Sequence, residues 1–180
     1  VCPTHNTLGA VKLLVKTLCP AGSTLASNAR GRVDLHAPRG IEIHDVRDHA
    51  ESVFTGSFAL ARLEQVIATA RPAFLGGQCF ADGQHPFSLA NLKAVRALAD
   101  RHGLRLVLDL SRVIENAWYI QRHEPGMADR TIADIVKVIA KTAHVILLDG
   151  AQDAKSNTGG LIATDNPADN EHFMNEVVVF

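Results

Sequence analysis

The chain has 180 residues, 47% of them hydrophobic, which is enough for one domain with a sizeable core. A formal net charge of -1, with Lys and Arg spread along the chain, gives no electrostatic reason to expect nucleic acid or an anionic membrane as partner. The longest apolar runs, such as residues 145–148, are too short to span a bilayer. No basic-then-apolar leader opens the chain, so it reads as soluble and cytoplasmic.

In chain order, Leu8, Val11, Leu14, Val15 and Leu18 recur at helical spacing, predicting a helix over residues 7–18 closed by Pro20. Residues 22–28 and 41–46 read as short strands around a turn at Pro38, Arg39 and Gly40. A helix is predicted over 59–70, with Leu60, Leu63, Val66 and Ile67 on one face. Residues 73–75 then begin a strand that runs into a Gly76-Gly77 turn. The next helix covers about 88–102 and is capped by Gly103; residues 104–108 form an apolar strand ending in Asp109, ahead of a further helix. Thr131, with Asp134 three residues on, marks the start of a helix over 131–142. Strands at 145–148 and 161–163 follow, separated by a polar, glycine-bearing loop.

Apolar strands alternating with amphipathic helices predict an α/β fold, a mostly parallel sheet flanked by helices on both faces. Ligands in such sheets bind at the carboxyl ends of the strands, which singles out the loops 109–112 and 149–160. Three cysteines with no CxxC pair argue against both a disulfide framework and a structural zinc. The nine histidines, including His36, His44 and His49 and the pair His85/Asp82, match no common zinc spacing.

Four ordered segments carry a more specific signal. They are Pro3-Thr4-His5-Asn6 with Gly9-Ala10, Asp45-Val46-Arg47-Asp48, Pro86-Phe87-Ser88-Leu89-Ala90-Asn91-Leu92, and Asp109-Leu110-Ser111-Arg112-Val113-Ile114-Glu115-Asn116-Ala117. Together they resemble the tyrosine phenol-lyase/tryptophanase family, the last being like its D-x-[ST]-R-x-x-E-N-A. The resemblance implies the large domain of a pyridoxal-phosphate (PLP)-dependent, aspartate-aminotransferase-like fold. In that chemistry a lysine holds PLP as a Schiff base and the ring drains electrons from a carbanion. By carry-over, Asp109 would pair with the pyridine nitrogen, Arg112 would contact the phenolic oxygen, and Asn6 would belong to the cofactor loop. Read without the resemblance, Asp109 is a loop cap and Arg112 a salt-bridge partner of Glu115.

The departures from the family are several. The Schiff-base lysine position falls on Gln152, which cannot form an imine, and its lysine neighbour falls on Ala151. The family serine of that run falls on Asp149, the phosphate-cradling Gly-Arg on Thr7-Leu8, the ring-stacking aromatic on Gly31, and a cofactor-contacting asparagine on Phe80. Lys155, three residues beyond Gln152, is the substitute Schiff-base candidate, provided burial lowers its pKa, and Ser156 would then help hold a phosphate.

Two readings stay open. One is a PLP-dependent lyase using Lys155. The other is a domain that kept the fold and lost the cofactor, acting as a binding or scaffold subunit or on an amino-acid-like small molecule. In that case Asp109, Arg112, Asp149, Gln152 and Lys155 would form one polar cluster in the strand-end cleft. No small domain or N-terminal segment is recognisable; a homo-oligomer or a partner chain would supply them, or the sequence is a fragment of a longer protein. The apolar tail 173–180 is an interface, is packed on the domain's own sheet, or meets a C-terminal continuation.

Overall fold

The computed structural model describes residues 1–29, 41–49 and 52–178, with the backbone alone at 178. The turn at Pro38–Gly40, His36, Gly31, Val179 and Phe180 lie outside the described residues. Seven strands form one sheet: β1 (Cys2–Thr4), β2 (Thr24–Ser27), β3 (Glu42–Asp45), β4 (Phe74–Gln78), β5 (Arg105–Asp109), β6 (Val145–Asp149) and β7 (Gly160–Thr164). Their order is β1-β7-β6-β5-β4-β2-β3. Only β7 runs against the rest, because it pairs antiparallel with both β6 and β1. The expected mostly parallel α/β sheet is therefore present, with one reversed strand that an apolar run could not disclose.

The helices are α1 (Thr7–Leu18), α2 (Leu60–Ala70), α3 (Leu89–Arg101), α4 (Val113–His123), α5 (Ile132–Thr142) and α6 (Pro167–Val178). Two cores cover the two faces. Leu63, Leu92, Ala117 and Ile139 pack with Ala26, Leu75, Leu106 and Leu108 on one side. Val11, Leu14 and Phe173 pack with Leu25, Phe74, Val107 and Leu147 on the other. Successive strand residues thus serve opposite cores, as the two-residue period requires. Phe173 is fully buried and Val177 packs against the second core, so this part of the tail is satisfied within the domain.

Local chemistry explains the helix starts. Asn6 Oδ1 accepts from Gly9 N at 2.9 Å to open α1, and Ser88 Oγ accepts from Asn91 N at 3.1 Å to open α3. Thr131 and Asp134 exchange the predicted capping contacts at α5. The Gly76-Gly77 turn is a correction, since both glycines lie inside β4 and pair with Val107 and Leu108 of β5. A Cβ on Gly77 would stand 2.5 Å from Leu108 Cδ2, so the missing side chain admits a close layer rather than a reversal.

At the amino ends of the strands, His144 ties four elements together. Its Nδ1 accepts from Leu106 N at 2.9 Å, which leaves the proton on Nε2, 2.9 Å from Asp100 Oδ1. Arg96 bridges Asp100 to Thr142 O. Burial, then Arg96, pushes the His144 pKa below its ordinary 6.5, so the neutral ring is the native form. The unfolded chain takes up the proton first as pH falls, so this stabilisation is complete above pH 6.5 and lost on acidification toward the lowered folded value. Urea midpoints measured from pH 8 to pH 5 should fall, and His144→Gln should flatten that dependence.

Candidate functional site

The carboxyl ends of β4, β5 and β6 lie side by side, with Gln78 opposite Asp109 and Asp109 opposite Leu147. Asp109 is only 8% exposed, and its Oδ1 accepts from Ser111 N at 2.9 Å and from the Ser111 hydroxyl. The Ser111 hydroxyl oxygen in turn accepts from Asp149 N at 3.0 Å, while Ser111 O accepts from Asp153 N at 3.2 Å. Asp153 Oδ2 then accepts from Ile114 N at 2.6 Å at the start of α4, a position where the helix dipole favours a carboxylate. Partial burial pushes the Asp153 pKa up, which the bond from Ile114 opposes. Asp109 is thus joined through Ser111 to the loop 149–160 and to α4.

Arg112 turns away from this network. Its Nε and Nη2 make a two-pronged ion pair with Glu115 at 2.7 and 2.6 Å, and its guanidinium lies 4.8 Å from the centre of the Phe80 ring. Glu115 raises the Arg112 pKa and holds the charge in place. Phe80 has a left-handed backbone, φ 56°, fixed by a bond from its N–H to Asn116 Oδ1 at 3.1 Å. The fully buried Asn116 also accepts from Phe87 N and donates to Phe87 O. Phe80, Tyr119, Trp118 and His123 form a chain of ring contacts on α4 that sequence reasoning did not single out. The available signal was the chain's one Trp beside its one Tyr, followed a turn later by His123.

The single polar cluster expected in the cleft is therefore divided. Asp109 lines a cavity of about 30 Å³ with Ser27, Ala29, Gly77 and Gln78, whereas Arg112 lines a separate hollow with Phe80, Trp118 and Tyr119. Gln152, Lys155 and Ser156 are all exposed. The burial that was to activate Lys155 is absent, because its loop runs over the surface with a left-handed backbone at Lys155, φ 54°. The Ser156 hydroxyl donates to Thr158 O within the same loop. Asn6 is exposed and its amide oxygen caps α1, but its backbone meets the far end of the loop. A Cβ on Gly160 would stand 2.7 Å from Asn6 C. Cys79, buried beside Asp109, has its pKa pushed well up by burial and then by Asp109 and Asp153. It packs as part of the core on that face. Among the described residues no group of three or more His, Cys, Asp or Glu could hold a metal ion.

With this geometry in place, comparison with known proteins is decisive on ancestry. The family model for beta-eliminating lyase matches residues 1–177. The chain belongs to the beta-eliminating lyase family. It is 31% identical over 179 residues to a tyrosine phenol-lyase of Clostridium tetani, covering 92% of this chain and 39% of that protein. A tryptophanase of Rhodobacter capsulatus is 32% identical over 178 residues, with the same 92% and 39% coverage. The chain thus spans about two fifths of the length of the curated relatives it matches. Among solved structures, the SepCysS–SepCysE N-terminal domain complex superposes with TM-score 0.66 at 14% identity, covering 94% of this chain and 43% of the other. A putative aromatic amino acid beta-eliminating lyase/threonine aldolase from Exiguobacterium sp. 255-15 gives 0.61 at 17%, covering 95% and 45%. These two likenesses carry the fold.

The family resemblance implies PLP, and the residues present can be tested against it. In favour, Asp109 is a buried carboxylate lining a strand-end cavity, and the buried Thr7 hydroxyl at the start of α1 lacks a partner. Against, a space of about 30 Å³ holds a water rather than a pyridine ring. Moreover, Gln152 and Lys155 are exposed, and Arg112 is held by Glu115. Among the described residues, no lysine lines the Asp109 cavity.

The Ser111 hydroxyl offers a direct check on how the site is assembled. Ser111→Ala leaves the buried Asp109 carboxylate and the partly buried Asp149 N–H each short of one partner. It should lower unfolding free energy in urea by about 1–3 kcal/mol with an unchanged m-value.

Proposed function

We propose that this beta-eliminating-lyase-family domain binds a small amino-acid-like molecule at the carboxyl ends of β4, β5 and β6 without a covalently held PLP. The observation that carries the reading is the pairing of Gln152 at the lysine position with an exposed Lys155. An amide cannot form an imine. The exposed Lys155 lacks the desolvation that activates Schiff-base lysines. Gln152 and Lys155, exposed on the loop 149–160, would be the donors to a ligand carboxylate, with Asp109 and Ser111 holding that loop in place beneath them. The exposed Trp118 and Ile114, one turn apart on α4, support association with a second copy or a partner chain next to this site.

The test is the absorption spectrum of the purified protein with added PLP, followed by borohydride reduction and peptide mapping. The proposal expects no Schiff-base band, no reduced adduct, and no difference between wild type and Lys155→Ala. A band that Lys155→Ala removes would overturn it in favour of a PLP-dependent lyase with a displaced lysine. Thermal unfolding with amino acids, in the absence of PLP, should show a ligand-dependent rise in Tm. A flat response across the amino acids would instead favour a scaffold subunit.

A further inference from the structure

Outward from the strand-end network, α4 turns an aromatic face to solvent. Val113, Asn116, Ala117 and Ile120 are its buried side, so the helical period sets Ile114, Glu115, Trp118 and Arg122 together on the opposite side. Ile114 is 46% exposed and Trp118 is 44% exposed, one turn apart. Beside them lies an open hollow of about 340 Å³, lined also by the Phe80 and Tyr119 rings. A single exposed apolar side chain is ordinary, whereas two beside a ring-lined hollow mark a contact surface. Tryptophan in particular is among the residue types that carry most of the binding energy at such surfaces.

The charges on this face say what covers it. Glu115 and Arg122 lie about two helical turns apart, with Trp118 between them. Arg122 is exposed and makes no ion pair among the described residues, its guanidinium standing 5.5 Å from the centre of the Trp118 ring. Glu115 is gripped by Arg112 on one side, yet its side chain keeps 41% exposure. The order acid, indole, base is complementary to itself when a second α4 is turned end for end. About a two-fold axis at Trp118, each Arg122 meets Glu115 of the other copy and each indole reaches the other's hollow, so every contact is made twice. A parallel pair would set acid against acid and base against base. A partner of one charge sign would answer only one of the two groups.

We propose that two copies of this chain associate through α4 in an antiparallel, two-fold contact centred on Trp118. The inference commits the association proposed above to a second copy and does not depend on what the strand-end site binds. Trp118 is the chain's only tryptophan, so intrinsic fluorescence reads this face alone. The whole chain is followed by sedimentation equilibrium and by emission across one concentration series. A dimer is expected to form as concentration rises, with Trp118 emission moving to shorter wavelength over the same range as water leaves the ring. Arg122→Glu sets like charges together at two symmetric contacts and should raise the dimer Kd about a hundredfold, about tenfold for each. Trp118→Ala, at an exposed position, should abolish the dimer and leave the far-ultraviolet circular dichroism unchanged. Lys93→Glu, an exposed reversal of the same charge on α3, should leave Kd unchanged. A monomer at every concentration, a dimer with constant Trp118 emission, a dimer that survives Trp118→Ala, or equal weakening in Arg122→Glu and Lys93→Glu would each overturn the proposal. A PLP band that Lys155→Ala removes would overturn the ligand reading alone and leave this one standing.

Discussion

A buried carboxylate must find donors, and at Asp109 it finds both in one residue, the amide and hydroxyl of Ser111. Since the same hydroxyl accepts from Asp149 N, the ends of β5 and β6 are held at a fixed separation. Asp153 then reaches from the following loop to Ile114 N and fixes where α4 begins. The position of the loop 149–160, and with it of Gln152 and Lys155, follows from this short chain of bonds. A loop tied down at Asp149 and Asp153 presents the intervening side chains outward, which accounts for the exposure of Gln152.

A second constraint sets the other half of the site. Asn116 has no solvent to satisfy it and so engages the backbone at Phe80 and Phe87. That holds the turn after β4 in a shape that gives Phe80 a left-handed backbone and lays its ring beneath Arg112. With Glu115 chelating the guanidinium from α4, Arg112 becomes part of the surface of that helix. The strand-end cavity is consequently left with Asp109 and the neutral Gln78 and Ser27, without a cation among its described lining residues.

The sequence disclosed most of the scaffold because its determinants are local. The apolar spacing in α1, α2, α3 and α5 and the Ser88 and Thr131 caps act within a few residues, and the structure places those elements within a residue or two of the expected bounds. β1 escaped notice because it is three residues long and contains Pro3, which only an edge strand tolerates. α6 escaped because few of its side chains face the core, Phe173 and Val177 among them, too few for a periodic pattern.

At the site, the ordered segments from Pro3 to Ala117 identified the family, and the family model bears that out. Residue types alone also determined that position 152 holds an amide and cannot form an imine, whatever the fold. What only the tertiary structure decided is which partner each polar group takes. Phe80 came to lie under the Arg112 guanidinium, Asp149 N bonded the Ser111 hydroxyl, and Lys155 was left in solvent, whereas the local Arg112–Glu115 pair was legible in the sequence. Those choices join segments as far apart as Phe80, Ser111 and Asp149, and they turn on burial and on donors supplied by distant backbone. Neither quantity is a property of any stretch of sequence read by itself.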